Sequence, residues 1–333
     1  MKQKYCIGLD VHKNQTTFAV KNSNGVTLME GKCATQYEDL SKNLTKYIEK
    51  SSVILEACTC YYHLYENMKK NNIDVHVANV IQLRKCVGKN DKIDASRLAD
   101  MYRLNALPES YIPSKEIQTL RIMINIYHNI VRENVRFQNQ IGAVLDMKGV
   151  FSGVNDFSSK NGMMFLSQYL MKNNDFSIRY LYDEIANLNK KQELIEVEIA
   201  GFIDINFSEE YKLLTSIPGI GKTLAAYLIG EICPIERFEN KKKLRRYAGV
   251  IPIKEMSDNK VYATYLPKGS SRKLLRYALV LGANCATRFD NRLKEYYKKK
   301  KKGSNHGHAI MCVASSMSDI VYHVLKTKQP YHK

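Results

Sequence analysis

The sequence predicts an α/β domain at the N-terminus followed by two mostly helical regions, and three observations carry that prediction. Strand-like alternation and short apolar runs crowd residues 4 to 79, with helical stretches between them. From about 114 to 201 the period changes, and apolar residues recur every three or four positions with no internal proline. Beyond 205 the chain reads as helical at both ends, around a loop-rich insert from about 249 to 271.

Each element follows in order. Residues 4 to 11, 16 to 20 and 25 to 30 read as three strands, and "NSNG" at 22 to 25 is a hairpin turn. A helix over 36 to 49 precedes a buried strand at 51 to 57. A helix near 60 to 70, a strand at 73 to 79 and helical sequence to about 104 complete the first domain. Two long amphipathic helices then form an antiparallel or dimerising arm, joined by a polar loop at 151 to 162. The expected domains are 1–110, 111–204 and 205–333.

Charge narrows the function. There are 51 Lys+Arg against 33 Asp+Glu, a formal net charge of +18, so a polyanion is the first partner to consider. No apolar run is expected to span a bilayer, and the N-terminus has no signal-like core. The eight cysteines form no CxxC and read as reduced thiols of a cytosolic protein. His306 and His308 lack companions for a zinc site.

The acids Asp10, Glu56, Asp91 and Asp94 attract attention as a set. In this strand order the first and fourth strands lie side by side at the sheet centre, so Asp10 and Glu56 end neighbouring strands. Asp91 and Asp94, three apart in "KNDKIDA", share one helix face. Singly, each acid reads as a cap or surface residue. Converging carboxylates instead need a cation, and oxygen ligands suit Mg²⁺ first.

Further along, "GIGKT" at 219 to 223 has the ending of a phosphate loop, but Ser216 stands where that motif needs glycine, and the preceding residues look helical. A helix-hairpin-helix turn fits better. Gly219 and Gly221 allow close backbone approach, and Lys222 opens a helix whose N–H groups suit a phosphate. A plain helix–helix turn is the alternative. The region 237 to 302 is strongly basic and rich in tyrosine, and Lys268, Arg272, Lys273 and Arg276 are candidate nucleic-acid contacts.

With "GLDVHK", "KNDKIDA" and the stretch "RRYAGVIPIKEMS", the chain resembles the DEDD insertion-sequence transposases. That family has an RNase H-like (RuvC-like) domain, and includes the Piv-type invertases and the bridge-RNA-guided recombinases. The resemblance implies an RNase H-like N-terminal domain, a coiled-coil arm, and a mostly helical C-terminal domain. It implies that Asp10, Glu56, Asp91 and Asp94 hold Mg²⁺, with Mn²⁺ as a substitute. Ser257, five residues after Pro252, falls where the family's nucleophilic serine lies; Ser270 and Ser271 are neighbouring candidates. The chain departs from the family pattern at "EACTCYY", where Cys58 and Thr59 replace Thr and Gly, and at Asp258, which replaces Gly. Donor and target DNA, a structured noncoding RNA, a dimer or tetramer, and action in the cytoplasm at the nucleoid are the further implications. Two other readings stay open. One is a metal-only RuvC-like nuclease acting on branched DNA; the other is a non-catalytic nucleic-acid-binding protein.

Overall fold

The computed structural model describes residues 4–58, 60–79, 82–83, 94–257, 260–265 and 272–332, with the backbone course alone for 253–257 and 260–265. The chain divides into two units, Met1–Ile112 and Pro113–Lys333.

The first unit is built on a five-stranded sheet of β1 (Tyr5–Val11), β2 (Gln15–Asn22), β3 (Thr27–Ala34), β4 (Ser51–Glu56) and β5 (Asp74–Ala78), in the order β3-β2-β1-β4-β5. The first three strands form an antiparallel meander, and β4 and β5 run parallel to β1. Helices α1 (Tyr37–Leu44) and α2 (Tyr61–Lys70) supply the crossovers. Alternation along the strands divides the buried residues between two faces. Ile7, Leu9, Phe18, Val53, Leu55, Val75 and Val77 pack with Leu40 and Leu44 of α1 and Leu64 and Met68 of α2. Ile54 and Ala78 point the other way, against Leu98 of α3 (Ala95–Arg103). On that second face the buried Lys21 of β2 is paired with Asp100 of α3. The mixed sheet and its central β1–β4 pair are those the strand order predicts.

In the second unit, α4 (Lys115–Met147) and α6 (Phe176–Asn206) form the arm. Their antiparallel course follows from the packing: Ile117 and Leu120 share a core with Ile199 and Ile203, while Ile141 and Leu145 share another with Ile178, Leu181 and Ile185. Between the two cores a buried amide sets the register. Asn134 donates to Asn189 at 2.9 Å and accepts from Gln138 at 3.0 Å. A third helix departs from the expected two-helix arm. Helix α5 (Lys160–Lys172), capped by Ser159, folds over the tip and buries Leu166 there. Its weak apolar period was masked by the serines, asparagine and glycine around its start.

The C-terminal region packs α7 (Ser208–Thr215), α8 (Lys222–Ile232), α9 (Lys241–Ala248), α10 (Lys273–Phe289), α11 (Asn291–Lys302) and α12 (His306–Thr327) into one core with the near end of the arm. Helix α8 is central, with every residue from Leu224 to Ile232 buried. The insert expected to be loop-rich contains a hairpin instead, β6 (Ile253–Ser257) antiparallel to β7 (Lys260–Tyr265). The expectation that no segment could span a bilayer also needs correction. Helix α12 is long and apolar enough by length and composition alone, and half of its most apolar stretch is buried within this unit. Val313, Met317 and Val321 are spent on the core. Among the described cysteines only Cys233 is buried, and all are free thiols.

Candidate active site

The carboxylates are positioned by strand register. The parallel β1–β4 ladder ends at Leu9 beside Leu55, and Asp10 and Glu56 are the next residue along each strand. Adjacent strands run about 4.8 Å apart. Asp10 stands two residues from Gly8, and Glu56 two residues from Ile54, and both of these residues face α3. A Cβ on Gly8 would lie 1.8 Å from the Ala95 carbonyl oxygen and 2.9 Å from the Ala99 nitrogen. Ile54 packs with Leu98. Both carboxylates therefore rise from the α3 side of the sheet. The missing Cβ at Gly8 lets the first turn of α3 rest directly on β1.

Asp94 is the N-cap of that turn, its Oδ1 accepting from the Arg97 N–H at 2.8 Å. The cap uses one carboxylate oxygen. Asp10 is half-buried, and its Oδ2 lies 3.4 Å from Nε2 of the exposed His12. Asp91 falls outside the described residues. Among the described residues, no group of three or more His, Cys, Asp or Glu side chains stands close enough to hold a metal ion. The donor chemistry nonetheless fits a hard divalent cation, since Asp10, Glu56 and Asp94 offer oxygen ligands alone.

In the second unit Ser257 is the last residue of β6, opposite Lys260 across the hairpin turn. Lys268, Ser270 and Ser271 lie outside the described residues. Arg272, expected at the DNA surface, is committed inward: Nε and Nη2 donate to the two carboxylate oxygens of Glu231 at 2.6 and 2.9 Å. That hydrogen-bonded pairing raises the Arg272 pKa above the ordinary guanidinium range. Lys273 opens α10 and is exposed, whereas burial of Arg276 one turn on lowers its pKa.

The buried centre around Glu231 was missed from sequence. Arg237 donates to the Glu231 carbonyl at 2.6 Å, and Arg121 to the Gly230 carbonyl at 2.6 Å. A lone acid in the apolar run "LAAYLIGEI" was the available signal, because a buried carboxylate requires a cationic partner.

The turn from α7 to α8 also shows two glycine roles. Gly219 has φ +87°, and a Cβ there would meet the Gly282 oxygen of α10 at 2.4 Å. Its close approach is to the protein's own α10. Gly221 caps α8 with open space where a Cβ would be, and Lys222 beside it is exposed.

Comparison with known proteins matches two separate stretches of the chain. A transposase family model for IS110-type DEDD elements matches residues 7–149, and a model described as the transposase IS116/IS110/IS902 family matches residues 211–298. A pilin gene-inverting protein of Moraxella lacunata is 27% identical over 172 residues, covering 50% of this chain and 51% of that protein. An uncharacterized 43.6 kDa protein of insertion element IS110 from Streptomyces coelicolor is 24% identical over 153 residues, covering 46% and 37%. A putative transposase of Sinorhizobium fredii is 23% identical over 262 residues, covering 74% and 63%. The matches thus span between about a third and under two thirds of these relatives' own lengths. One match covers the carboxylate-bearing sheet and the start of the arm, the other the C-terminal helices with the serine-bearing hairpin, and the chain belongs to the IS110/IS116/IS902 family of insertion-sequence transposases.

Proposed function

We propose that this chain cuts and rejoins DNA as the transposase of an insertion element, through a covalent serine–DNA intermediate. The observation that supports the reading is the parallel β1–β4 register, which ends one residue before Asp10 and Glu56, at the end of the sheet whose α3 face carries the helix capped by Asp94. Asp10, Glu56, Asp91 and Asp94 would hold Mg²⁺ or Mn²⁺. That ion would draw charge from a phosphodiester oxygen and lower the barrier to displacement.

Ser257 is the attacking group. Its Oγ forms a bond to phosphorus as one P–O bond to deoxyribose breaks; the hydroxyl proton leaves and the departing sugar oxygen gains one. Reversal by another strand's hydroxyl restores the serine, so rejoining needs no external energy source. The +18 charge supports DNA as substrate and a structured noncoding RNA as guide. Exposed Ile122, Leu194 and Val197 on the arm support a dimer or tetramer in which carboxylates and serine come from different subunits. Gly221, Lys222 and Lys273 are proposed backbone contacts, Gly221 through the N-terminus of α8. The cytoplasm, at the nucleoid, is the proposed place of action.

The test is denaturing electrophoresis of the full chain incubated with the element's end DNA, its flanking transcript and Mg²⁺. A protein–DNA adduct is expected from the wild type and none from Ser257→Ala. Unchanged cleavage in Ser257→Ala would sink the serine mechanism and favour a metal-only nuclease.

A further inference from the structure

A cavity of about 590 Å³ opens in the second unit between α9, α11 and α12. Its volume lies within the range of small-ligand sites. Val250, Pro252 and Tyr296 give its lining apolar and aromatic surface outside α12. One side of α12 also lines it, where His308, Cys312, Ser315 and Ser316 follow the helical period beside Met311. The other side of α12 belongs to the core through Val313, Ala314 and Met317. This polar stripe supplies donors and acceptors side by side.

Charge inside the cavity is balanced. Its one carboxylate, Asp319, is held by both Nε and Nη2 of Arg245 and approached by Lys241 Nζ at 3.7 Å. Arg245 lines the cavity but is spent on Asp319, and the lysines stand outside it. Lys241 begins α9, and Lys300 lies 5.4 Å from the centre of the Tyr296 ring. Beyond Lys300 the helix ends on Lys301 and Lys302. Two of the lining residues are also tied together, because Asn305 caps α12 by accepting from the His308 N–H at 2.9 Å.

A charge-balanced recess lined by an aromatic ring and by hydrogen-bonding groups of one helix, flanked by lysines, fits a flat polar-edged group carried on a polyanion. We propose that this cavity receives one unpaired base of a polynucleotide strand, with the strand's phosphates running past Lys241 and Lys300. The base stacks toward Tyr296 and is read at its edge by His308, Ser315 and Ser316. A nucleoside triphosphate would need its cations inside, and a peptide would not need the lysines. The wall Val250–Pro252 runs directly into β6, which ends at Ser257. A base held here would set the register of the strand near that serine.

This inference rests on the proposed action on nucleic acid, and its test keeps the two apart. Fluorescence anisotropy of the full chain would be read with labelled oligothymidylate, oligouridylate, an abasic strand of equal charge, and duplex DNA. The wild type should prefer base-bearing to abasic strand by at least about fivefold, the size of one stacked base. Ser316→Phe, which fills the cavity, and His308→Ala, which removes an edge contact, should erase that preference while duplex binding stays unchanged. Loss on the thymidine or the uridine strand identifies DNA or RNA as the source of the base. Thermal melting would show that each variant folds; should Ser316→Phe not fold, His308→Ala and the wild-type abasic comparison decide. Equal wild-type affinity for base-bearing and abasic strands overturns the cavity proposal, as does a preference retained in the folded variants. A wild type that binds no polynucleotide at all overturns the proposed function with it.

Discussion

Arg272 and Glu231 form a two-point ion pair, 2.6 and 2.9 Å across, in which the carboxylate is 2% exposed and the guanidinium 43%. The pair ties the start of α10 to the central helix α8, and the Arg272 N–H donates in addition to the Tyr247 carbonyl at 3.2 Å. Its asymmetry matters, because losing the arginine strands a buried charge whereas losing the acid leaves a guanidinium that water can reach.

Arg272→Ala should therefore cost about 2–3 kcal/mol, below the ~3–5 kcal/mol of a fully buried pair because the guanidinium is partly solvated. Glu231→Gln, which keeps hydrogen-bonding atoms in place, should cost about 1–2 kcal/mol. Urea unfolding measures both. Unchanged stability with weakened DNA binding would instead make Arg272 a phosphate contact.

Gly8→Ala should lift α3 from the sheet. A Cβ there meets the Ala95 carbonyl at 1.8 Å, and backbone cannot turn aside as a side chain can. Overpacking of this kind costs about 1–3 kcal/mol. A lower melting temperature together with lost DNA cleavage is the expected result; a variant with wild-type melting and cleavage would show that α3 does not depend on this contact.

One substitution separates the cap that Asp94 forms from its proposed metal-holding role. Asparagine caps a helix about as well as aspartate, whereas alanine costs about 1 kcal/mol. Asp94→Asn should keep wild-type melting yet lose Mg²⁺-dependent cleavage, and EDTA should abolish cleavage by the wild type without abolishing DNA binding. Full cleavage by Asp94→Asn would leave this residue a cap only.

At the arm's tip, stability should depend on acid pH. The hydrogen bond from Lys148 holds the Asp175 carboxyl below the ordinary aspartate range; burial opposes it, and the Ile178 N–H and Tyr169 hydroxyl add to it. A lowered folded pKa means stabilisation that is complete above the ordinary range near about pH 4, and lost as pH falls toward the folded value. The gap in melting temperature between wild type and Asp175→Asn should be constant at neutral pH and close in acid. A gap independent of pH down to the acid limit would remove the ion pair as its cause.

Much of the sheet was legible because a strand's period survives in its own residues. The runs around Ile7, Ile54 and Val75 announce buried strands, and their order leaves few ways to arrange them. Helix α5 and the β6–β7 hairpin were not legible: each is short, polar around its ends, and held by residues far away in sequence. Helix α12 misled in a different way, since its apolar character was not read as long enough to span a bilayer.

For the proposed site, the sequence by itself singled out the acids Asp10, Glu56, Asp91 and Asp94, the serine candidate, and a charge that favours polyanions, because residue type and spacing are local properties. Tertiary structure decided which face Asp10 and Glu56 share, through strand register and the missing Cβ of Gly8. It also turned Arg272 inward to Glu231 and opened a lysine-flanked cavity beside α12. These are contacts between residues tens of positions apart, and they follow from how buried charges and close-packed surfaces find partners in space.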